Sequence, residues 1–570
     1  GVVDEAVEQG ADGTHGENNR QAGAGGSGRE RAGAGGSRRE RTRVSGQRIC
    51  SIHQLPVHSA LAALAWLSAC PPARLPAQAP PAPARSRLLP SAPASALARR
   101  LDRRLDSAPL DHFLWGIAVI DDRGHLLYGR NAERLFVPAS TAKIVVSAAA
   151  VALLPASGTV RTSVYATGPV VGGVLQGDLV LYGQGDPTMS RRCYGTDTTA
   201  ALACEPDASA KLHQLAAALK TRGISTVAGD LVGDGSWFEP TLTHPDWESY
   251  DLNWWYAAPV SGLGFNDNSV DITWSAGPAP GAPAQVSFSP TLGDVTLDNH
   301  SVTVAGDSGA TIDFFRDPGT LRIRAEGRVP RSGSSRTEHF ALPDPNLYAA
   351  WAFGAALGEA GIAVQGRTRS TTDSTVYLAA RAGPPLAEVE SRPFRDWIFP
   401  ILNSSQNWFA ETLLKQLGRQ LGRAGSWAEG LAVERRFLID SVRLDSTQFA
   451  LVDGSGVAVS NAVSPGALVR LLEFVRRRPH MEPFLAALPR SGERGSLRSR
   501  FLGTPVAGRV LAKPGSIRRV NGLAGYLDLA NGRRVTFAVL VNSHTLVNTA
   551  MVAVIDSVVV DIARGLGTRP

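Results

Sequence analysis

Two β-hairpin signals stand at opposite ends of this chain, and they restrict its fold more than any other feature. Leu114 to Ile120 and His125 to Gly129 are apolar runs separated by the turn Asp121-Asp122-Arg123-Gly124. Near the other end, Leu523 to Leu529 and Arg533 to Val541 flank Ala530-Asn531-Gly532. Short Gly-, Asn- and Asp-rich breaks between apolar runs favour the turn geometries that fold one strand back on the next. A short strand, Arg509 to Lys513, precedes the second hairpin, and an amphipathic helix, Leu546 to Arg564, follows it. If both hairpins share one antiparallel sheet, the ends of the chain build one domain and the middle is inserted into it. That middle, residues 159–345, has many short alternating runs such as Ser301-Val302-Thr303-Val304 and Leu321-Arg322-Ile323-Arg324, punctuated by Gly, Pro, Asn and Asp. It reads as a β-rich insertion. Helical periodicity returns at Leu347 to Ala360, Asn407 to Gly422 and Ala428 to Asp440.

The 570 residues, 43% hydrophobic and 19% charged, are enough to bury the cores of two or three domains. Eleven Trp and eighteen Phe exclude a low-complexity filament, and four Cys exclude a disulfide-built scaffold. The net charge of +7 does not imply nucleic acid, because Arg is spread along the chain and its clusters sit mainly in the first hundred residues. Residues 1–47 carry near-duplicate Gly/Ala runs at Ala22 to Ser27 and Ala32 to Ser37 and cannot form a core. The first Met is Met189, so initiation at a non-ATG codon such as that of Val44 is expected. Residues 48–79, with the apolar stretch Leu61 to Leu67, read as a signal peptide too short to span a membrane, and the Pro/Ala-rich residues 80–95 read as a linker. Two cleavage readings stay open. Leu67-Ser68-Ala69-Cys70 resembles a lipobox with Cys70 as lipid anchor, and Ala77-Gln78-Ala79 fits an ordinary signal peptidase. Either implies export, an oxidising compartment and a pairing of Cys193 with Cys204.

Lysine is a rare choice here. The only five are Lys143, Lys211, Lys220, Lys415 and Lys513, and every other basic residue except His is Arg. Lys143 closes Pro138-Ala139-Ser140-Thr141-Ala142-Lys143, ahead of the apolar run Ile144 to Leu154. Proline favours a helix start, so Ser140 is expected at the N-terminus of a buried helix with Lys143 one turn on, on the same face. The helix end stabilises negative charge near the hydroxyl, and apolar surroundings disfavour the ammonium, so the amine can act as a base toward Ser140. Arg cannot take that role, being effectively never deprotonated. A surface lysine beside a capping serine would show the same spacing; the scarcity of lysine argues against it. Ser404-Ser405-Gln406-Asn407 opens another helix, with Ser405 either a cap or a proton relay and Asn407 orienting the substrate amide and Lys143. Lys513-Pro514-Gly515-Ser516 ends the strand that begins at Arg509.

Ser-x-x-Lys, Ser-x-Asn and Lys-x-Gly in this order resemble the penicillin-recognising serine DD-peptidases. The large insertion between the first two motifs, with Gly177 to Thr188, Gly229 to Asp234, Tyr256 to Ser261, Asn266, Asn268, Asp453-Gly454-Ser455-Gly456, Asn461 and Ser464-Pro465, resembles the penicillin-binding protein 4 type of D-alanyl-D-alanine carboxypeptidase and endopeptidase, peptidase family S13. The resemblance implies an α+β fold, a serine β-lactamase-like domain formed by residues 96–158 and 346–570 and carrying the insertion. It also implies an exported, cofactor-free hydrolase of peptidoglycan stem peptides, periplasmic and acylated by β-lactams at Ser140. Lys143, Ser405, Asn407 and Lys513 would complete the catalytic set, and Gly515 and Ser516 would bind substrate. No His falls in a metal-ligand spacing, and the aspartates of the insertion sit beside Gly and Pro, which favours turns over calcium binding. One departure matters: the family has Thr or Ser where Pro514 stands, a hydroxyl that helps hold the substrate's terminal carboxylate, while its oxyanion hole uses the N–H at the position of Ser516. The rivals are a β-lactamase and a wall-binding protein whose catalysis has decayed.

Overall fold

The computed structural model describes residues 95–190, 207–307 and 309–567. The expectations for the N-terminal segment, the signal peptide, Cys70 and the Cys193–Cys204 pair lie outside the described residues. The first helix, α1 (Ala96–Leu105), leads into strands β1 (Leu114–Ile120) and β2 (Leu126–Arg130), then α2 (Lys143–Leu153). Far along the chain come α3 (Asn407–Leu421), strands β3 (Val510–Ile517), β4 (Val520–Asp528) and β5 (Arg534–Asn542), and the helix α4 (Asn548–Gly567).

The two hairpins do share one sheet, in the order β2-β1-β5-β4-β3, antiparallel throughout. The seam joining the ends of the chain is β1 on β5, with Leu114 opposite Asn542 and Ile120 opposite Thr536. Side-chain alternation along a strand decides which layer each residue enters. Trp115, Ile117 and Val119 of β1, with Phe537, Val539 and Val541 of β5, join Leu97 and Leu101 of α1 and Ile555 and Val558 of α4 in one core. Their neighbours Ala118, Ile120, Ala538 and Leu540 point the other way, into a core with Ile144 and Val146 of α2 and Leu413 and Leu414 of α3. The sheet is thus covered on both faces, which is why its central strands read as nearly unbroken apolar runs.

Strand β3 lies at the sheet's edge and continues through Pro514 to Ile517, past the end at Lys513 expected from the sequence. Its backbone explains how. The N–H groups of Val510 and Ala512 donate to Ser491 Oγ and Pro489 O, away from β4. Position 514 is on the same side by alternation, so proline removes no bond from the β3–β4 ladder.

The inserted segment forms several small sheets with both parallel and antiparallel pairing. The larger has five strands, with Leu179–Gly183 between Leu231–Asp234, a parallel neighbour, and Arg161–Ala166, an antiparallel one. Strands Ala363–Val364, Thr368–Thr371 and Ala387–Glu390 pair with strands of this segment, and helix Pro345–Glu359 packs into its core. The inserted unit therefore runs on to about Glu390, beyond the boundary at 345 read from the sequence, because the helical period starting at Leu347 covers the insertion's sheet and not the sheet built by the chain ends.

Candidate active site

Ser140 lies in a single 3-10 turn, Ala139–Ala142, that runs directly into α2, so Lys143 is the first residue of the α-helix. The turn is pressed between two backbones. Glycine at 515 lets β3 approach it, since a Cβ there would stand 2.8 Å from Pro138 O and 2.9 Å from Ser140 N. Gly456, with φ +82°, approaches from the other side, where a Cβ would meet Ala139 O at 2.0 Å. Ala139 itself has φ +46°, outside the usual range for a residue with a side chain. Contacts from two directions hold that strain.

Lys143 is fully buried and donates from Nζ to Ser140 Oγ at 2.8 Å and to the backbone oxygen of Ser455 at 2.7 Å. Burial pushes its pKa down to about 7, and the negative charges of Asp453 and Glu411 oppose the shift. Near neutral pH a substantial fraction of the amine is therefore uncharged, with its nitrogen at hydrogen-bond distance from the hydroxyl. That arrangement can take a proton from Ser140.

The second and third motifs meet opposite. Lys513, also fully buried, donates to Ser405 Oγ at 2.8 Å and to Pro514 O at 2.8 Å. Burial, with Lys143 and Arg500 nearby, holds Lys513 well below the usual lysine range. Its ammonium is disfavoured by desolvation first and by like charge second. Ser405 has φ +60°, a strained conformation for serine, and it precedes α3, whose first turn is capped by Gln406 accepting from Trp408 N. Asn407 donates from Nδ2 to Tyr256 O of the inserted segment at 2.6 Å, so it ties the insertion to the site, and the partners of Lys143 are Ser140 and Ser455, where the sequence reading gave Asn407 an orienting role. Ser516 is exposed and donates to Asn548 Oδ1 at 2.7 Å, while Asn521 Nδ2 donates to Ser516 Oγ at 3.1 Å. Pro514 and Ser516 share one side of β3.

Of the carboxyl groups behind Lys143, sequence reasoning named Asp453 only as part of a family segment and missed Glu411. Glu411, fully buried on α3, accepts from the backbone N–H of Ser455 at 2.6 Å and of Gly454 at 3.2 Å, and from Trp427 Nε1 at 2.7 Å. Asp453 accepts from Trp247 Nε1 at 3.0 Å and from the N–H groups of Gly456 and Ala458. The available signal was a Glu four positions after Asn407 and four before Lys415, a polar stripe at helical spacing beside apolar neighbours.

A doubly covered antiparallel sheet with a Ser–Lys pair at a helix start, faced by a second Ser–Lys contact from an edge strand, defines a penicillin-recognising serine enzyme, a class that holds DD-peptidases and serine β-lactamases alike. Residues 97–562 match the model of the D-Ala-D-Ala carboxypeptidase 3 (S13) family, and the chain belongs to that family of serine-type carboxypeptidases. It is 30% identical to the D-alanyl-D-alanine carboxypeptidase of Actinomadura sp. (strain R39), over 82% of this chain and 84% of that one. It is 24% identical to D-alanyl-D-alanine carboxypeptidase DacB of Haemophilus influenzae, over 75% and 85%. The crystal structure of penicillin binding protein 4 (dacB) from H. influenzae superposes with a TM-score of 0.71 at 21% identity, covering 83% of this chain and 99% of that one, and establishes the likeness of fold.

Proposed function

We propose that this carboxypeptidase cleaves the peptide bond after D-Ala in peptidoglycan stem peptides, at the D-Ala-D-Ala terminus or in a D-Ala cross-link, through an acyl-enzyme on Ser140. The observation that carries the reading is the 2.8 Å contact between Ser140 Oγ and a lysine amine whose pKa burial has lowered to about 7. Ser140 Oγ attacks the carbonyl carbon of the penultimate D-Ala while Lys143 Nζ takes the hydroxyl proton. The oxyanion is met by backbone N–H groups at Ser140 and Ser516. Collapse breaks the C–N bond, and the leaving amine takes a proton through Ser405, which is backed by Lys513. Water then hydrolyses the ester, giving its proton to the same machinery as Ser140 is released. A substrate carboxylate arriving beside Lys513 would restore the ammonium, because an anion favours the charged form of a neighbouring amine. Asn407 and Gly515 hold the cleft walls, one to the insertion and the other to the nucleophile turn.

The same attack extends to β-lactams, whose strained ring amide takes the place of the peptide bond, a reading supported by a solved complex of the H. influenzae protein with a novel β-lactam. A periplasmic site of action fits the wall substrate, with Cys70 the lipid anchor under the lipobox reading and a free protein under the signal-peptidase one; no helix among the described residues is long and apolar enough to cross a membrane. Residues 96–158 together with those after about Glu390 would be the catalytic domain, with the insertion between them. The test is incubation with purified muropeptides and mass analysis of the products: loss of terminal D-Ala or of cross-linked dimers is expected, and intact muropeptides with the active protein would overturn the reading. A labelled penicillin should attach at Ser140, and labelling unchanged in Ser140→Ala would reject that site.

A further inference from the structure

Three polar residues, Asn407, Glu411 and Lys415, recur every fourth position along α3 and so lie on one face of the helix. All three are buried, and each holds a different backbone. Asn407 donates to Tyr256 O, Lys415 donates to Thr241 O at 3.0 Å and Val260 O at 3.3 Å, and Glu411 takes the N–H groups of Gly454 and Ser455. The contacts of Glu411 lead to the reacting atoms. Its carboxylate fixes the N–H side of Ser455, and the carbonyl of that same residue is the acceptor for Lys143 Nζ. A carboxylate with three donors converging on it holds the loop far more rigidly than a neutral side chain would.

We propose that Glu411 is the positioning residue of this active site: by clamping the Gly454–Ser455 backbone it aims the Ser455 carbonyl, and through it the Lys143 amine, at Ser140. The inference rests on the reading of Lys143 as the base. The three donors to Glu411 hold the anion against surroundings that disfavour it. It faces Lys143 across the loop, Asp453 beside it, Glu434 from helix Trp427–Arg436 and Lys415 one turn along α3, which itself meets Glu239 at 3.4 Å. Burial first and Asp453 second push the Glu411 carboxyl up to about 7, while Glu434, buried with neither carboxylate oxygen hydrogen-bonded, is held well above the usual range and so kept neutral. Leaving Glu434 uncharged removes one source of repulsion from the Glu411 anion that binds the loop.

The experiment measures the rate of acylation by fluorescent penicillin per folded site, across pH, in the full chain and in Glu411→Gln and Glu411→Asp. Gln can accept from Ser455 but then turns a donor toward the N–H groups of both Gly454 and Trp427, which share the other oxygen, so the plateau rate should fall about tenfold or more. Loss of the negative charge should also move the acid limb of the profile to lower pH, by about half a unit or more. Asp keeps the charge but withdraws it by one methylene, so its plateau should fall while the limb stays. Thermal denaturation of each variant gives the fraction folded. If both variants lose only folded protein, with the rate per folded site and the limb unchanged, Glu411 merely stabilises the fold and the proposal is overturned. Lys143→Ala serves as the separate control: rapid acylation in that variant would sink the reading of Lys143 as base, whatever Glu411 does.

Discussion

Charge is handled in opposite ways around the active-site serine and at the ion pairs of the insertion. In the insertion, Asp186 meets Lys211 at 2.7 Å, and Arg369 reaches Asp230 at 2.7 Å and Asp178 at 3.0 Å. The hydrogen bond from Arg369 holds the Asp230 carboxyl below its ordinary value. A close counter-ion of this kind favours the charged form of its partner. Around Ser140 two lysines are buried on hydroxyl and carbonyl oxygens, and both are shifted toward the neutral amine. The difference teaches how to tell a structural ion from a reactive one: pairing fixes a protonation state, whereas desolvation without a close counter-ion leaves it free to change.

The largest test of this contrast is Lys143→Arg. A permanent cation should fail as a base, so acylation by penicillin is expected to fall nearly as far as in Lys143→Ala, by about 3 kcal/mol or more of transition-state stabilisation. A substantially active Arg variant would make Lys143 another structural ion. In the same vein, the wild-type acylation rate should rise with pH through about 7, where Lys143 loses its proton. A flat profile between pH 6 and 8, on the order of the range set by that titration, would show that no base titrates there.

On the insertion side, Lys211→Met removes the counter-ion of a buried aspartate and should lower stability by about 3 kcal/mol or more, read by thermal denaturation. Its acylation rate per folded site should be unchanged, and a selective loss of rate would break the separation between the two regions. Pro514→Thr should raise kcat/KM for a D-Ala-D-Ala peptide about tenfold, more than it raises the penicillin rate, by adding a hydrogen bond to the terminal carboxylate. Equal gains would mean Ser516 or Lys513 already supplies that contact. Smallest of all, Arg518→Ala opens an ion pair with Glu248 whose side chains are 76% and 51% exposed, and the melting curve should hardly move, by about 0.5 kcal/mol at most.

The sheet was legible because both of its hairpins announce themselves with turn residues between apolar runs, and Ser140, Lys143, Ser405 and Lys513 because lysine is otherwise scarce. The helices at Asn407 and Leu546 fall within two residues of their expected starts. Helix Phe394–Asn403 escaped notice since Pro400 interrupts its pattern, and the insertion's extent past residue 345 depends on which sheet a helix covers, information absent from its own periodicity. The spacing of Glu411 from Asn407 and Lys415 was visible, but its purpose was not, for a similar reason. Its role comes from the backbone of a loop more than forty positions away.

The edge of β3 also bears on how one molecule meets another. An outer strand with free N–H and C=O groups invites a second chain to add alongside it. Here Val510 and Ala512 have spent their N–H groups on Ser491 and Pro489, Pro514 has none, and its carbonyl accepts from Lys513. What remains is a stub at Ser516, long enough to grip one residue of a substrate and too short to template a sheet between proteins. Restoring threonine at 514 would add a donor to that stub, so light scattering of concentrated Pro514→Thr should show more self-association than the natural chain, and equal scattering would mean the proline does not guard the edge.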